Sequence, residues 1–181
     1  IKQDRAGLEN ADRLAVRAIG IDDRGNLVVG TDLEETGRHL LAFALHAHEY
    51  LEFGQGMTAD DEADLWQKDL TGAIELWIDV GLPDEKLVRK ACGRANQVMV
   101  YCYGGRTAEM WYAQNRSQFE RQKNLTVISL LPEGTRALAT MAQRTMQLQC
   151  TIQDGQVWLS DGNDSVMVER VTLKEPSANG Y

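Results

Sequence analysis

Cysteine, proline and histidine each occur only three times in the 181 residues, and positive charge is scarce, with 19 Lys and Arg against 27 Asp and Glu. Each shortage narrows the function. The net charge of −8 disfavours a protein that wraps nucleic acid by bulk charge, although it leaves room for a local basic patch. Cys92, Cys102 and Cys150 are an odd set without CxxC spacing in apolar surroundings, so they read as buried free thiols rather than a disulfide framework or a metal knuckle. Only Cys92, in a basic segment, has the positive neighbours that a reactive thiolate needs.

Long apolar runs are missing too. No stretch approaches the roughly 18 residues of a membrane span, and IKQDRAGLEN lacks the apolar region of a secretory signal. The expectation is a cytoplasmic protein without a membrane partner, its start at Ile1 rather than Met reading as trimmed or processed. His39 and His46 share a helical face while His48 points elsewhere, which is no metal-ligand spacing. GxSxG, GxGxxG and kinase signatures are absent, so nucleophilic catalysis has no support. YGGR at 103–106 lacks the Lys-Ser/Thr of a P-loop and reads as a turn at a strand end. Repeats, low-complexity tracts and linkers are lacking, and one domain over 1–181 is the expectation.

What is present alternates between strand and helix periods. RLAVRAIGI (13–21) and LVVG (27–30) flank the turn DDRGN as an N-terminal hairpin. Thr31 and Glu34 form a capping-box pattern ahead of apolar positions at helical spacing, predicting a helix over about 32–52. DLWQKD and IELWIDVG around LTGA read as a second hairpin turning at Thr71-Gly72. LPDEKLVRKACGRANQ follows as a helix with Pro83, Asp84 and Glu85 at its start, then VMVYCY (98–103) as a strand buried on both faces. That strand–helix–strand order is a parallel crossover unit, repeated by AEMWYAQNRSQF, NLTVISLL and PEGTRALATMAQRTM. The tail alternates around Asp154-Gly155 and predicts an antiparallel three-stranded end piece. The fold class is α/β in a mixed α+β arrangement, a central mixed sheet flanked by helices with antiparallel hairpins at both ends.

Chemistry concentrates in the second hairpin. Alternation puts Glu75, Trp77 and Asp79 on one face and Ile74, Leu76, Ile78 and Val80 on the other. A Thr71-Gly72 turn places Asp64 opposite Asp79, Trp66 opposite Trp77 and Lys68 opposite Glu75, all on that one face. Facing aspartates destabilise a sheet unless something neutralises them, and a hard cation such as Mg²⁺ or Mn²⁺ does so. The competing reading is a solvated face or a register shifted by one residue. On the next helix Lys86, Lys90 and Arg94 recur every four residues with Arg89 beside them, a stripe suited to phosphate contacts or simply a solvated face.

Several segments carry a family resemblance: LLAFALHA (40–47), LEFGQG (51–56), DLWQKDLTGAIELWIDVGLPDEKLVRKACGRANQV (64–98), NLTV (124–127) and RTMQLQCTIQDGQVWLSD (144–161). Together they closely resemble the bacterial YaeQ family over about 40–173. The first 30 residues depart from the usual family start, with GTDLEETGRH in place of a helix opening on Pro-Ser-Glu-Thr. The resemblance implies a variant of the PD-(D/E)XK nuclease-like fold with an acidic metal site at a hairpin. It implies Glu34 as the helix acid, Asp64 and Asp79 as the strand acids, and Glu75 as an auxiliary metal ligand. The triplet is broken, because Gly81 stands where a Lys belongs in Asp79-Val80-Gly81, which leaves Lys90 or Lys68 to supply the catalytic positive charge.

Two function classes stay open. One is a Mg²⁺- or Mn²⁺-dependent phosphodiesterase or nuclease, with Asp64, Asp79 and Lys90 or Lys68 catalytic and Lys86, Arg89, Lys90 and Arg94 tracking a nucleic-acid backbone. The other is a noncatalytic nuclease-fold module with a nucleic-acid or protein partner. The resemblance links the latter to transcription elongation. The oligomeric state is not legible in the sequence.

Overall fold

The computed structural model describes residues 33–46, 48–54, 62–141, 149–154 and 156–177. The expected N-terminal hairpin at 13–30 lies outside them. In chain order the elements are α1 (Leu33–Leu45), β1 (Leu51–Phe53), β2 (Leu65–Lys68), β3 (Ile74–Val80), α2 (Glu85–Arg94), β4 (Ala95–Cys102), α3 (Arg106–Phe119), β5 (Leu125–Leu130), α4 (Pro132–Met141), β6 (Gln149–Gln153), β7 (Gln156–Ser160), β8 (Ser165–Val168) and β9 (Arg170–Lys174). They form a six-stranded sheet in the order β1-β2-β3-β4-β5-β9 and a three-stranded sheet in the order β6-β7-β8. Among the described residues no helix is long and apolar enough to cross a membrane. The chain divides into two compact units, residues 1–52 with 132–169 and residues 53–131 with 170–181.

In the first unit α1 packs on α4, and α4 packs on β8. Its core draws Leu41 and Phe43 from α1, Leu138 and Met141 from α4, and Cys150, Val157, Leu159 and Val168 from the antiparallel sheet. Helix α1 stops at Leu45, short of the expected end near 52. Its last turn tightens to a His46 N–H donated to Phe43 O, and a turn from His48 O to Leu51 N–H then sends 51–53 off as a strand. The expected third strand of the tail is also divided. After Val168 the chain leaves the small sheet, and Arg170–Lys174 pairs antiparallel with β5 in the larger one.

The second unit holds the mixed sheet. β2 and β3 are antiparallel, β3, β4 and β5 run parallel, and β9 closes antiparallel. This bears out the crossover units expected over 74–130. Helix α2 links β3 to β4 and starts at Asp84, whose side chain accepts the Lys86 N–H at 2.8 Å. Its far end is held by Asn124, whose Nδ2 donates to Cys92 O and Ala95 O at 3.0 and 2.9 Å. One core gathers Val88 and Ala91 of α2 and Ala108 and Phe119 of α3 against Trp77, Val98, Val100, Cys102, Leu125 and Val127 of the sheet. YGGR is the turn expected, with Gly104 O accepting the Thr107 N–H as α3 begins.

The β2–β3 hairpin departs from the expected geometry at its tip. Asp69 N–H donates to Ala73 O and Gly72 N–H to Asp69 O, so the loop has three residues, Leu70 to Gly72, with Gly72 at φ +87°. The Asp69 carboxylate accepts from Thr71 N, Thr71 Oγ1 and Ala73 N, and the Thr71 bond above all lowers its pKa. The extra loop residue is absorbed by a bulge. Trp66 still faces Trp77 and Gln67 faces Leu76, but Lys68 pairs with Ile74, leaving Glu75 without a partner across the ladder. The expected Lys68–Glu75 pair is therefore not formed. The bulge also breaks the alternation, so Ile74 packs into the core with Trp77 instead of facing away with Leu76 and Ile78.

Candidate functional site

Beyond the bulge the register Leu65↔Ile78 and Trp66↔Trp77 sets Asp64 beside the end of β3. Asp64 Oδ2 accepts the Val80 N–H at 2.6 Å, and Gly54 N–H donates to Asp64 O at 2.9 Å. The Asp64 carboxylate is thus held against the strand segment that carries Asp79. Asp79 Oδ1 in turn accepts the Trp77 indole N–H at 2.9 Å, and the Asp79 side chain takes a further hydrogen bond from the Asp64 backbone.

Both aspartates line one pocket of about 320 Å³, together with Glu62, Trp77, Val80, Gly81, Leu82, Pro83 and Leu87. Pro83, whose carbonyl accepts the Trp111 indole N–H at 3.0 Å, joins this wall to α3. Asp79 lies in the row Asp79↔Val100↔Val127, on the face covered by the helices. Burial first, and then the nearby Asp64 charge, push its carboxyl up to about 7. The face bearing the acids is thus partly buried, and the alternative of a fully solvated face does not hold for Asp79.

The remaining sequence candidates lie elsewhere. Lys68 places its Nζ over the Trp66 ring, 3.5 Å from the centroid, and does not line the pocket. Lys86, Arg89, Lys90 and Arg94 are exposed on α2. Arg89 stands 3.8 Å from Glu85, and the Arg94 guanidinium lies 5.4 Å from the Trp77 ring centroid. None of these cations, nor Glu75, lines the pocket. Glu34 falls on α1, with its side chain outside the described residues. Glu62 is the residue that sequence reasoning missed. It belongs to the acidic run of the loop before β2, and its closeness in sequence to Asp64 was the available signal.

Gly81 has φ +142°, a backbone conformation that residues with a Cβ rarely adopt, and donates its N–H to Tyr101 O at 2.9 Å. Glycine at this position suits the chain path, and a lysine there would be strained. Cys92 is half-buried, and burial pushes its thiol up to about 11, which removes the reactive-thiolate reading. Cys102 and Cys150 are buried free thiols, as expected.

The family model described as YaeQ protein matches residues 34–170. The chain belongs to the YaeQ family. The uncharacterized protein YaeQ of Escherichia coli (strain K12) is 41% identical over 138 residues, 76% of each chain, and its Salmonella typhi counterpart is 39% identical over the same span. The crystal structure of the YaeQ protein from Xanthomonas axonopodis pv. citri superposes with a TM-score of 0.77 at 39% identity, covering 88% of this chain and 95% of that one. The YaeQ protein from Pseudomonas syringae, at 24% identity and a TM-score of 0.75 over 87% of this chain and 92% of its own, shares the fold. The mixed α+β architecture with a central mixed sheet is therefore that of solved YaeQ structures.

Proposed function

We propose that the pocket at the end of β3 binds a divalent cation, Mg²⁺ or Mn²⁺, between Asp64 and Asp79, and that the chain is a metal-dependent phosphodiesterase related to the PD-(D/E)XK nucleases. The observation that carries this reading is the convergence on one pocket of two carboxylates, one from the residue before β2 and one from β3, close enough for one to oppose ionisation of the other. A cation relieves that repulsion. Among the described residues no three acidic, histidine or cysteine side chains come together to hold a metal by themselves. Two carboxylates are nevertheless the protein share of many Mg²⁺ sites, where water and substrate phosphate complete the shell.

Such a cation, when bound, supplies Lewis-acid activation of water and of a phosphoryl oxygen. The chain's own residues do the positioning. Val80 N–H holds one oxygen of Asp64, the Trp77 indole holds one oxygen of Asp79, and Leu82, Pro83 and Leu87 supply an apolar part of the pocket wall. Lys86, Arg89 and Lys90 are exposed on α2, where a nucleic-acid backbone that reaches beyond the pocket would meet them.

A second reading rests on Gly81. With glycine at the lysine position and no Lys or Arg among the described residues that line the pocket, the charge that the superfamily aims at the reacting phosphate is not supplied by that lining. That favours a cation-binding module that recognises a nucleic-acid or protein partner without turnover. Calorimetry with Mn²⁺, beside hydrolysis assays on DNA, RNA and small phosphodiesters, separates the two. Binding and hydrolysis that both vanish in Asp79→Asn support the enzyme, whereas binding without turnover supports the module. Undiminished hydrolysis in the Asn variant removes the assignment.

A further inference from the structure

Trp77 is 4% exposed and would pass for an ordinary core residue, yet its indole N–H points at Asp79 and its edge reaches the pocket. The ring is fixed from several directions. Trp66 meets it nearly perpendicular, with centroids 5.9 Å apart at 83°. The Arg94 guanidinium lies 5.4 Å from its centroid, and Val88 and Ala91 of α2 belong to the same buried cluster. A cation near the indole face draws electron density from the ring and strengthens the N–H as a donor.

We infer that Trp77 is a positioning residue, holding Asp79 Oδ1 so that the carboxylate keeps one rotation relative to Asp64 and the pocket. The inference rests on the cation-site reading and deepens it. Arg94 then acts on the site through the Trp77 ring rather than by touching a ligand. The aromatic pair facing across β2 and β3 becomes the support of the acidic one, with Trp66 braced in turn by the Lys68 ammonium. Arg94, which the sequence offers for backbone contacts, and Lys68, which it offers as the catalytic positive charge, are thereby given a structural task behind the carboxylates.

Calorimetric titration of the full chain with Mn²⁺ alone, comparing wild type, Trp77→Phe and Asp79→Asn, tests this. Phenylalanine keeps an aromatic ring next to Cβ and removes the N–H together with the outer ring of the indole. The dissociation constant for Mn²⁺ is expected to rise about tenfold or more in Trp77→Phe, the scale of one hydrogen bond to a charged group. Since losing part of a buried ring can unfold the chain, a second readout uses the wild type, in which the Trp77 indole N–H resonance is followed by NMR as Mg²⁺ is added. A shift of that resonance is expected. Folded Trp77→Phe that binds Mn²⁺ as tightly as wild type, or a Trp77 signal unmoved at saturating Mg²⁺, overturns the positioning role and leaves the cation site standing. Absence of any Mn²⁺ heat in the wild type overturns the cation site and the inference together.

Discussion

Asp64 spends one carboxylate oxygen on the backbone N–H of Val80, 2.6 Å away, and so stands beside the adjacent residue Asp79 although 15 positions separate the two acids in the chain. Like charges do not approach in this way without consequence. The neighbour's charge adds to burial in raising the Asp79 carboxyl to about 7, while the Trp77 and Asp64 hydrogen bonds partly oppose the rise.

The pH dependence of stability follows. An Asp79 pKa raised from 3.8 to about 7 means that the folded state holds the proton more tightly than the unfolded chain. Its contribution is fully present below pH 3.8 and is lost as pH rises through about 7. Chemical denaturation in metal-free buffer should show that component, on the order of a few kcal/mol, in the wild type. Asp79→Asn should lack it and be the more stable protein at pH 8. Parallel pH profiles for the two proteins would contradict the burial of a titrating carboxyl.

Restoring the missing lysine should not restore a nuclease triplet. At φ +142° a Cβ at position 81 is strained irrespective of the open space around it. Gly81→Lys is expected to lose roughly 1–3 kcal/mol of stability, with no gain in phosphodiester hydrolysis. Urea unfolding and the hydrolysis assay check both halves. A stable and more active Lys variant would show that the backbone at 81 adapts.

Asn124 ties the end of α2 to the start of β4 by two hydrogen bonds from one amide. Replacing it with Ala leaves the Cys92 and Ala95 carbonyls without that donor. About 1–3 kcal/mol of stability should be lost, read as a lower urea midpoint with an unchanged slope. An unaltered midpoint would mean that water satisfies both carbonyls.

The thiols should be slow to react. Burial raises Cys92 and Cys102 to about 11, leaving little thiolate near pH 7.5. Iodoacetamide should therefore label the native protein slowly, and all three cysteines, Cys150 included, rapidly after denaturation. Fast labelling of Cys92 in the folded chain would place it in a more open setting.

Much of this architecture was legible because its signals are local. Apolar periodicity marked β3, α2, β4, α3, β5 and the start of α4, and strand–helix–strand spacing implied parallel pairing whatever the partners. The Trp66–Trp77 pairing was legible too, since a short hairpin constrains register within a residue or two. A one-residue bulge was not, because alternation of side chains carries no record of an inserted residue. Lys68 and Glu75 consequently lost their expected partnership, and Ile74 crossed into the core.

Residue order alone thus establishes most of the elements and the nearness of Asp64 to Asp79, consequences of periodicity and a tight turn, while the family follows from sequence similarity. Where the cations of α2 stand depended instead on how that helix lies over the sheet, and it lies so that Arg94 approaches the Trp77 ring while no Lys or Arg is among the described residues that line the pocket. Burial of Asp79, its hydrogen bond to an indole and the position of Glu62 on the pocket wall are likewise set by packing. They arise where the loop before β2 and the strand and helix after it converge, and no local pattern encodes that meeting.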